Sequence, residues 1–406
     1  MANTPIAITG LGLVCPLGNS VPEAVARARR GERGIRSYST PWGTRVGGTV
    51  DQFTPDPQLA SRHEPATLFA LAAAEQALAQ SGLGGCGDRN RIGCVVGAGL
   101  AGAALWQRAL EDDRVPRMAA IAITGTAVTG LLAVRHQLRG PSLGIANACA
   151  SGTTAIIAAA DQIRLGRADA MLVGGCESSM RGRVAYGSFV DAGMHVTDDP
   201  VGACTPFAAG RRGFVLAEGA GMLMLERLDF ARARGARVLA TLTGSALVND
   251  AHHAIHPEPT GKAWARAIRL ALDDAHVPPA SVDAVSVHAT ATAQGDLAEA
   301  RALQQVFGTR RVAVSATKSM HGHAFGAAGA IECALAIAAM TEGLVLPTID
   351  LADPDPDCAL DHVVDRARQV EVDVLLKTGF GAGGVATALV FRRSDSPPPF
   401  ERLFAF

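Results

Sequence analysis

LGIANACASGTTAIIAAADQI, residues 143–163, is a short apolar run, a polar turn and then a helical stretch of small residues. Its order returns late in the chain as VAVSATKSMHGHAFGAAGAIECALAIAAM, residues 312–340. Each segment reads as a buried strand feeding a helix through a junction that carries a reactive side chain, Cys149 in the first and His323 in the second. Upstream elements repeat as well: PATLFALAAAEQALAQSGL (65–83) then RIGCVVGAG (91–99) is echoed by GKAWARAIRLALDDAHV (261–277) then VDAVSVHAT (282–290). Downstream, ADAMLVGG (168–175) is echoed by DVLLKTGFGAGGVATALVF (373–391). Alternating strand and helix patterns specify an α/β fold, and the agreement in order predicts two copies of one unit. Cys149 and His323 are then expected to face one another across a pseudo-two-fold axis.

The rest of the composition fits a packed globular protein. Of 406 residues, 48% are hydrophobic and 18% charged, enough for a substantial core. With 45 glycines and only 4% aromatics, close small-sided packing of helix on sheet is expected. A formal net charge of -1, without dense Lys/Arg clusters, argues against nucleic acid or a membrane surface as partner. The eight cysteines are scattered without a CxxC pair, so reduced thiols in a cytoplasmic protein are expected, with neither disulfides nor a metal site. The N-terminus lacks the basic and apolar regions of a secretory signal, and the uncharged stretch 118–134, which holds Gly125 and Gly130, is short for a membrane span.

Four residues sit at junctions of one type. Cys149, in NACASG, precedes a helix whose positive end lowers a thiol pKa and favours the thiolate that thioester exchange needs. A buried inert cysteine is an equally good reading of that residue alone, and the better one for the other seven. His288 ends the strand-like VSV and is followed by Thr290 and Thr292, at the strand end where α/β proteins place ligands. His323 follows Lys318 by five residues and precedes a run of glycine and alanine that lets backbone approach a substrate closely. Taken singly, each histidine is more often structural; the assembly of a cysteine, two histidines and a lysine is what points to catalysis.

With these motifs in place, the chain resembles the chain-elongating β-ketoacyl-acyl-carrier-protein synthases of the thiolase-fold superfamily. The matching motifs are NACASG around Cys149, His288-Ala289-Thr290-Ala291-Thr292 through Asp296 and Glu299, and Lys318-Ser319-Met320-His321-Gly322-His323 through Gly326 and Gly329. The similarity runs from about residue 6 to residue 391. It implies a duplicated five-layered αβαβα fold, with halves 1–240 and 241–393 and a proline-containing tail at 394–406. It also implies decarboxylative Claisen condensation: Cys149 carries the acyl group, and His288 and His323 hydrogen-bond the malonyl thioester carbonyl. Lys318 orders the second histidine beside Glu332, Asp296 supports the site, and Thr290 and Thr292 contact the pantetheine arm. The backbone N–H groups of Cys149 and Ala382 form the oxyanion hole. No cofactor is implied beyond the phosphopantetheine that arrives on acyl carrier protein, and the chain is expected to form a homodimer or to pair with a chain-length-factor-like subunit.

Departures from the family pattern point to specialised polyketide or unusual fatty-acid synthesis, with primary fatty-acid elongation as the alternative. Ala382 replaces the phenylalanine that gates the acyl pocket, which widens the route to Cys149 unless Phe380, one step upstream, serves as the gate. Pro206-Phe207-Ala208-Ala209-Gly210-Arg211-Arg212-Gly213-Phe214 lacks two acidic residues of the family motif, so loss of a salt-bridge network is expected there. His321 has no assigned role. A silent chain-length factor lacks the nucleophilic cysteine and a degradative thiolase carries a second late one, so both fit less well. Phe400, Leu403, Phe404 and Phe406 give the tail an apolar face suited to a partner.

Overall fold

A computed structural model describes residues 5–85, 87–100, 102–111, 119–309 and 312–394; Cys86 and the tail beyond Ser394 lie outside the described residues. Eleven strands form one sheet. In chain order they are β1 (Ile6–Val14), β2 (Ile92–Gly97), β3 (Ser142–Ile145), β4 (Ala170–Glu177), β5 (Gly219–Arg227) and β6 (Ala240–Asn249). Then come β7 (Ala284–Ser286), β8 (Ala313–Ser315), β9 (Asp361–His362), β10 (Val374–Gly381) and β11 (Val385–Arg393). Six helices matter for the site: α1 (Pro65–Ser81), α2 (Ala127–His136), α3 (Ser151–Arg164), α4 (Lys262–Asp274), α5 (Ala293–Phe307) and α6 (Ala328–Thr341).

The duplication predicted from the repeats is present in the strand order, β9-β8-β7-β10-β11-β6-β1-β5-β4-β2-β3. Starting from the β1–β6 seam, one arm runs β1, β5, β4, β2, β3 and the other β6, β11, β10, β7, β8. Each arm thus places its own first, last, fourth, second and third strands in the same succession, the short β9 being an addition at one edge. The seam is antiparallel, Ile6 opposite Leu242 and Ile8 opposite Ala240, as a two-fold between the halves requires.

Three hydrophobic clusters account for five layers. The central one joins Ile156, Ala159 and Ala160 of α3 and Ile331, Ala334 and Leu335 of α6 to Leu223 and Val173 of one arm and Leu242 and Leu389 of the other. The two helices therefore lie between the arms. Outside them, α1 covers one arm with Phe69, Ala73 and Ala77, and α4 and α5 cover the other with Trp264, Ile268 and Leu303. Strands covered on both faces should read as unbroken apolar runs, and all nine residues of β1 are buried. Each fully buried Ile or Leu contributes about 1.5–3 kcal/mol by leaving water.

Small residues set how closely these layers approach. A methyl group on Gly152 of α3 would lie 3.0 Å from the Ala330 nitrogen of α6, and one on Gly329 would lie 2.5 Å from Thr153 Cγ2. A side chain at either position would have to displace atoms of the facing helix. Because both helices start at junctions carrying chemistry, that spacing also sets the separation of Cys149 from the His323 loop.

Candidate active site

Cys149 is presented by a tight turn between β3 and α3. Ala148 before it adopts φ 46°, a left-handed conformation that costs a residue with a Cβ roughly 1–2 kcal/mol. The turn is held by Asn147 N–H donating to Ser151 Oγ at 2.9 Å, while that hydroxyl donates to the Ala148 carbonyl at 2.6 Å. The backbone N–H groups of Ala382 and of Cys149 itself are directed at the sulfur. Part of the residue reaches solvent, yet its sulfur is enclosed, and burial pushes the thiol up to about 12. Lys318 and the two N–H groups pull the other way, and Glu177 adds to the rise. The direction is opposite to the one expected from the helix end, because withdrawal from water outweighs the charge of Lys318 and the two N–H groups.

His288 and His323 come together as expected, ring centroids 5.5 Å apart and planes at 88°. Glu299 of α5 fixes the first by accepting the N–H of His288 at 2.9 Å and that of Ala289 at 2.7 Å, and it also accepts Thr378 Oγ1 at 2.5 Å. His323 donates its N–H to Val215 O at 2.6 Å and accepts from Ala217 N–H at 2.9 Å, so it is pinned to the segment preceding β5. Burial holds both imidazoles well below the ordinary histidine value, and the positive charge of Lys318 adds to it. Both are therefore neutral at neutral pH, each with one N–H to donate.

Lys318 and Glu332 are fully buried and form an ion pair, and the Lys318 ammonium donates to the carbonyl of His288, the first histidine, where the resemblance implied that it orders the second. Burial pulls Lys318 below the ordinary lysine value against the attraction of Glu332. Burial pushes Glu332 upward, but the charges of Lys318 and Lys377 outweigh it and hold the carboxyl below its ordinary range. Asp296 accepts from Phe207 N–H at 2.8 Å and Ala291 N–H at 3.1 Å, and burial pushes it up to about 7. It thereby ties the Pro206–Phe214 loop to the threonine pair, whose hydroxyls, Thr290 and Thr292, are 3.1 Å apart.

The expected loss of ion pairing around Arg211 is corrected. Arg211 Nη1 lies 2.6 Å from Asp355 Oδ2 and its Nε 3.9 Å from Asp296, while Arg212 pairs with Asp198 at 2.6 Å. The acids lie outside the loop, Asp355 and Asp296 on remote segments and Asp198 just before it, so the motif alone could not reveal them. Phe380 is buried against Trp264, centroids 4.8 Å apart, and stands 6.4 Å from His288; its ring belongs to the outer layer and to the back of that histidine. Ala382 is exposed. His321 is fully buried, with Nε2 3.0 Å from Thr317 Oγ1.

Two buried charges were missed. Glu177, at the end of β4, accepts N–H groups from Gly99 at 3.0 Å and from Leu100 and Gly326 at 3.2 Å, binding the loop after β2 to the turn beyond His323. Lys377 of β10 lies 2.7 Å from Glu332 Oε2. A lone charge in an apolar strand, as in GGCE and LLKTG, was the available signal.

The chain matches the family model described as beta-ketoacyl synthase, N-terminal domain, over residues 3–231, and that of the C-terminal domain over residues 239–352. It is 33% identical to 3-oxoacyl-[acyl-carrier-protein] synthase 2 of Staphylococcus aureus, covering 97% of this chain and 99% of the relative. Identity to the synthase of the same name from Synechocystis sp. is 35%, covering 96% and 98%. A beta-ketoacyl synthase from Burkholderia phymatum superposes with a TM-score of 0.88 at 30% identity, covering 96% of this chain and 99% of that one. A type II PKS ketosynthase solved with its acyl-carrier protein and a bound hexaketide gives a TM-score of 0.87 at 30% identity, covering 97% and 100%. Two matched domains, a duplicated thiolase-like architecture and a cysteine and two neutral histidines that share the field of one buried lysine agree in placing this chain in the β-ketoacyl synthase family.

Proposed function

We propose that this chain is the active ketosynthase of a specialised polyketide or unusual fatty-acid system, extending an acyl group held on Cys149 with malonyl-acyl-carrier protein. The observation that carries it is that one enclosed thiol, faced by two backbone N–H groups, and a pair of neutral imidazoles all lie within the field of the same buried ammonium, that of Lys318. In the first half-reaction the Cys149 sulfur attacks the acyl thioester, a new S–C bond forms, and the carrier's thiol leaves with the cysteine proton. In the second, His288 and His323 donate N–H hydrogen bonds to the malonyl thioester carbonyl as the C–C bond to the carboxylate breaks and carbon dioxide leaves. The enolate carbon then attacks the acyl carbon, whose oxyanion rests on the N–H groups of Cys149 and Ala382. Collapse breaks the S–C bond and releases the Cys149 thiolate, which takes a proton from solvent to restore the thiol. Neutral imidazoles suit this step because a charged one would protonate the enolate carbon instead of holding its oxygen.

On this reading no metal or redox cofactor takes part, and Thr290 and Thr292 receive the pantetheine arm. The described cysteines are all free thiols, which suits a cytoplasmic setting; no helix among the described residues is long and apolar enough to cross a membrane. Besides acyl carrier protein, the partner is a second copy or a chain-length-factor-like subunit at the β3 edge. There Leu143 is exposed on a strand paired only with β2 among the described residues, and Val134 of α2 is exposed nearby. A silent subunit would not keep the cysteine, both histidines and Lys318 in one site.

Intact-mass measurement of carrier-bound products, wild type against Cys149→Ala, tests the reading. Condensation products should vanish in the variant; undiminished products would overturn it. Elongation only when a homologous second subunit is added would identify the heterodimer.

A further inference from the structure

Lys377 stands in the middle of β10, fully buried, in a position where a strand covered on both faces would ordinarily carry an apolar side chain. Its ammonium lies 2.7 Å from Glu332 Oε2, while Lys318 takes Oε1 of the same carboxylate. Glu332 is the only carboxylate within ion-pair distance of Lys377 among the described residues, so one carboxylate serves two ammoniums. Lys377 also reaches the main chain: it donates to Thr378 O on its own strand and, at 3.4 Å, to Val287 O, and Lys318 donates to the next carbonyl, that of His288. The two lysines thus hold consecutive carbonyls at the point where the chain leaves β7 and presents the His288 ring.

We propose that Lys377 is a positioning residue for condensation, sharing Glu332 with Lys318 and gripping the backbone of Val287 so that His288 stays oriented and uncharged beside His323. This deepens the ketosynthase reading and rests on it. An isolated buried ion pair of Lys318 and Glu332 would present little net charge to the imidazoles. A second ammonium adds one, and it opposes protonation of both rings.

The other groups facing this site are consistent with that. From the junction before α6 come Lys318, His321 and His323, and from α6 itself Glu332 and the Cys333 thiol, which burial pushes up to about 12. Behind His288, Glu299 of α5 is raised by burial, against its bonds from Thr378 and the N–H groups of His288 and Ala289. Cys149 is raised by burial with a contribution from Glu177, itself raised by burial and bound to the Gly326 N–H beyond His323. Glu332 is thus the carboxyl that its partners hold below the ordinary range, and it is shared by two lysines.

The test uses full-length enzyme with Lys377→Met, Lys377→Gln and Lys377→Arg, each checked for folding by thermal melt. The acid limb of condensation against pH should move upward by about one unit in the Met and Gln variants and stay in place for Arg, because only the arginine keeps the charge. Turnover should fall about tenfold with KM for malonyl-carrier protein little changed, as expected when a group that acts through an imidazole is lost. An unshifted limb in a folded, active Met or Gln variant overturns the proposal while leaving the ketosynthase reading intact; wild type without condensation would instead overturn that reading. If neither variant folds, carbon-13 histidine NMR of the wild type decides, with the His288 signal assigned by its loss in His288→Gln. A ring that stays neutral well below pH 6 supports the proposal, and one that titrates at the ordinary histidine value overturns it.

Discussion

The imidazoles of His288 and His323 meet nearly at right angles, 88° with centroids 5.5 Å apart, although 35 residues of chain and two different strand ends separate them. Each is fixed through its backbone, His288 by Glu299 and the Lys318 ammonium, His323 by Val215 and Ala217. Two donors held this way can converge on one carbonyl oxygen. Replacing either histidine with alanine should lower condensation by on the order of 10²–10³-fold, the usual cost of removing one oxyanion donor. Acyl transfer onto Cys149, followed by mass shift of the intact protein, should survive in both variants. Full condensation in either alanine variant would show that the pair does not act this way.

The Cys149 thiol gives a pH prediction opposite to the one the helix end suggested. With burial pushing it up to about 12, the thiolate fraction at neutral pH is small and grows tenfold per pH unit. Alkylation of Cys149 by iodoacetamide, read by peptide mass, should therefore rise steadily from pH 6.5 to 9 without a plateau. A plateau near pH 7 would mean that the dipole and Lys318 win after all.

Asp296 offers a stability test with a defined sign. Its folded pKa, about 7, lies above the ordinary aspartate value because of burial. Its contribution is therefore fully present below the ordinary aspartate range and is lost as the pH rises to about 7. Asp296→Asn removes the titration and one acceptor of the Phe207 and Ala291 N–H groups, at a cost of about 1–3 kcal/mol. The advantage of wild type over this variant in urea melts should be largest near pH 4 and narrow toward pH 7. A gap that widens over that range would refute the assignment.

Ala382 should set the breadth of acyl chains admitted. It is exposed, its N–H faces the Cys149 sulfur, and Phe380 is engaged with Trp264. Restoring an aromatic ring with Ala382→Phe should slow acylation by bulky or rigid starters on the order of tenfold and leave short straight chains little affected. Competition between the two starter classes, read as product ratios, is the measurement. Unchanged ratios would place the gate elsewhere.

The sequence by itself determined the architecture and the principal reactive residues. Apolar runs alternating with alanine-rich helices, repeated in order, are enough to specify two α/β copies, because a strand buried on both faces and a helix packed at glycine distance leave a local signature. The positions of Cys149, His288, His323 and Lys318 were legible for the same reason: each lies at a strand-to-helix junction of its own copy. What only the tertiary structure decided is the electrostatics. Whether the thiol at a helix end is lowered or raised depends on how much water the surrounding layers remove, which no local segment encodes. Asp355 and Asp198, which pair Arg211 and Arg212, come from segments remote from or flanking the motif, and Lys377 meets Glu332 only because β10 packs beside α6. Charges act through space, and their partners are set by the fold instead of by spacing along the chain.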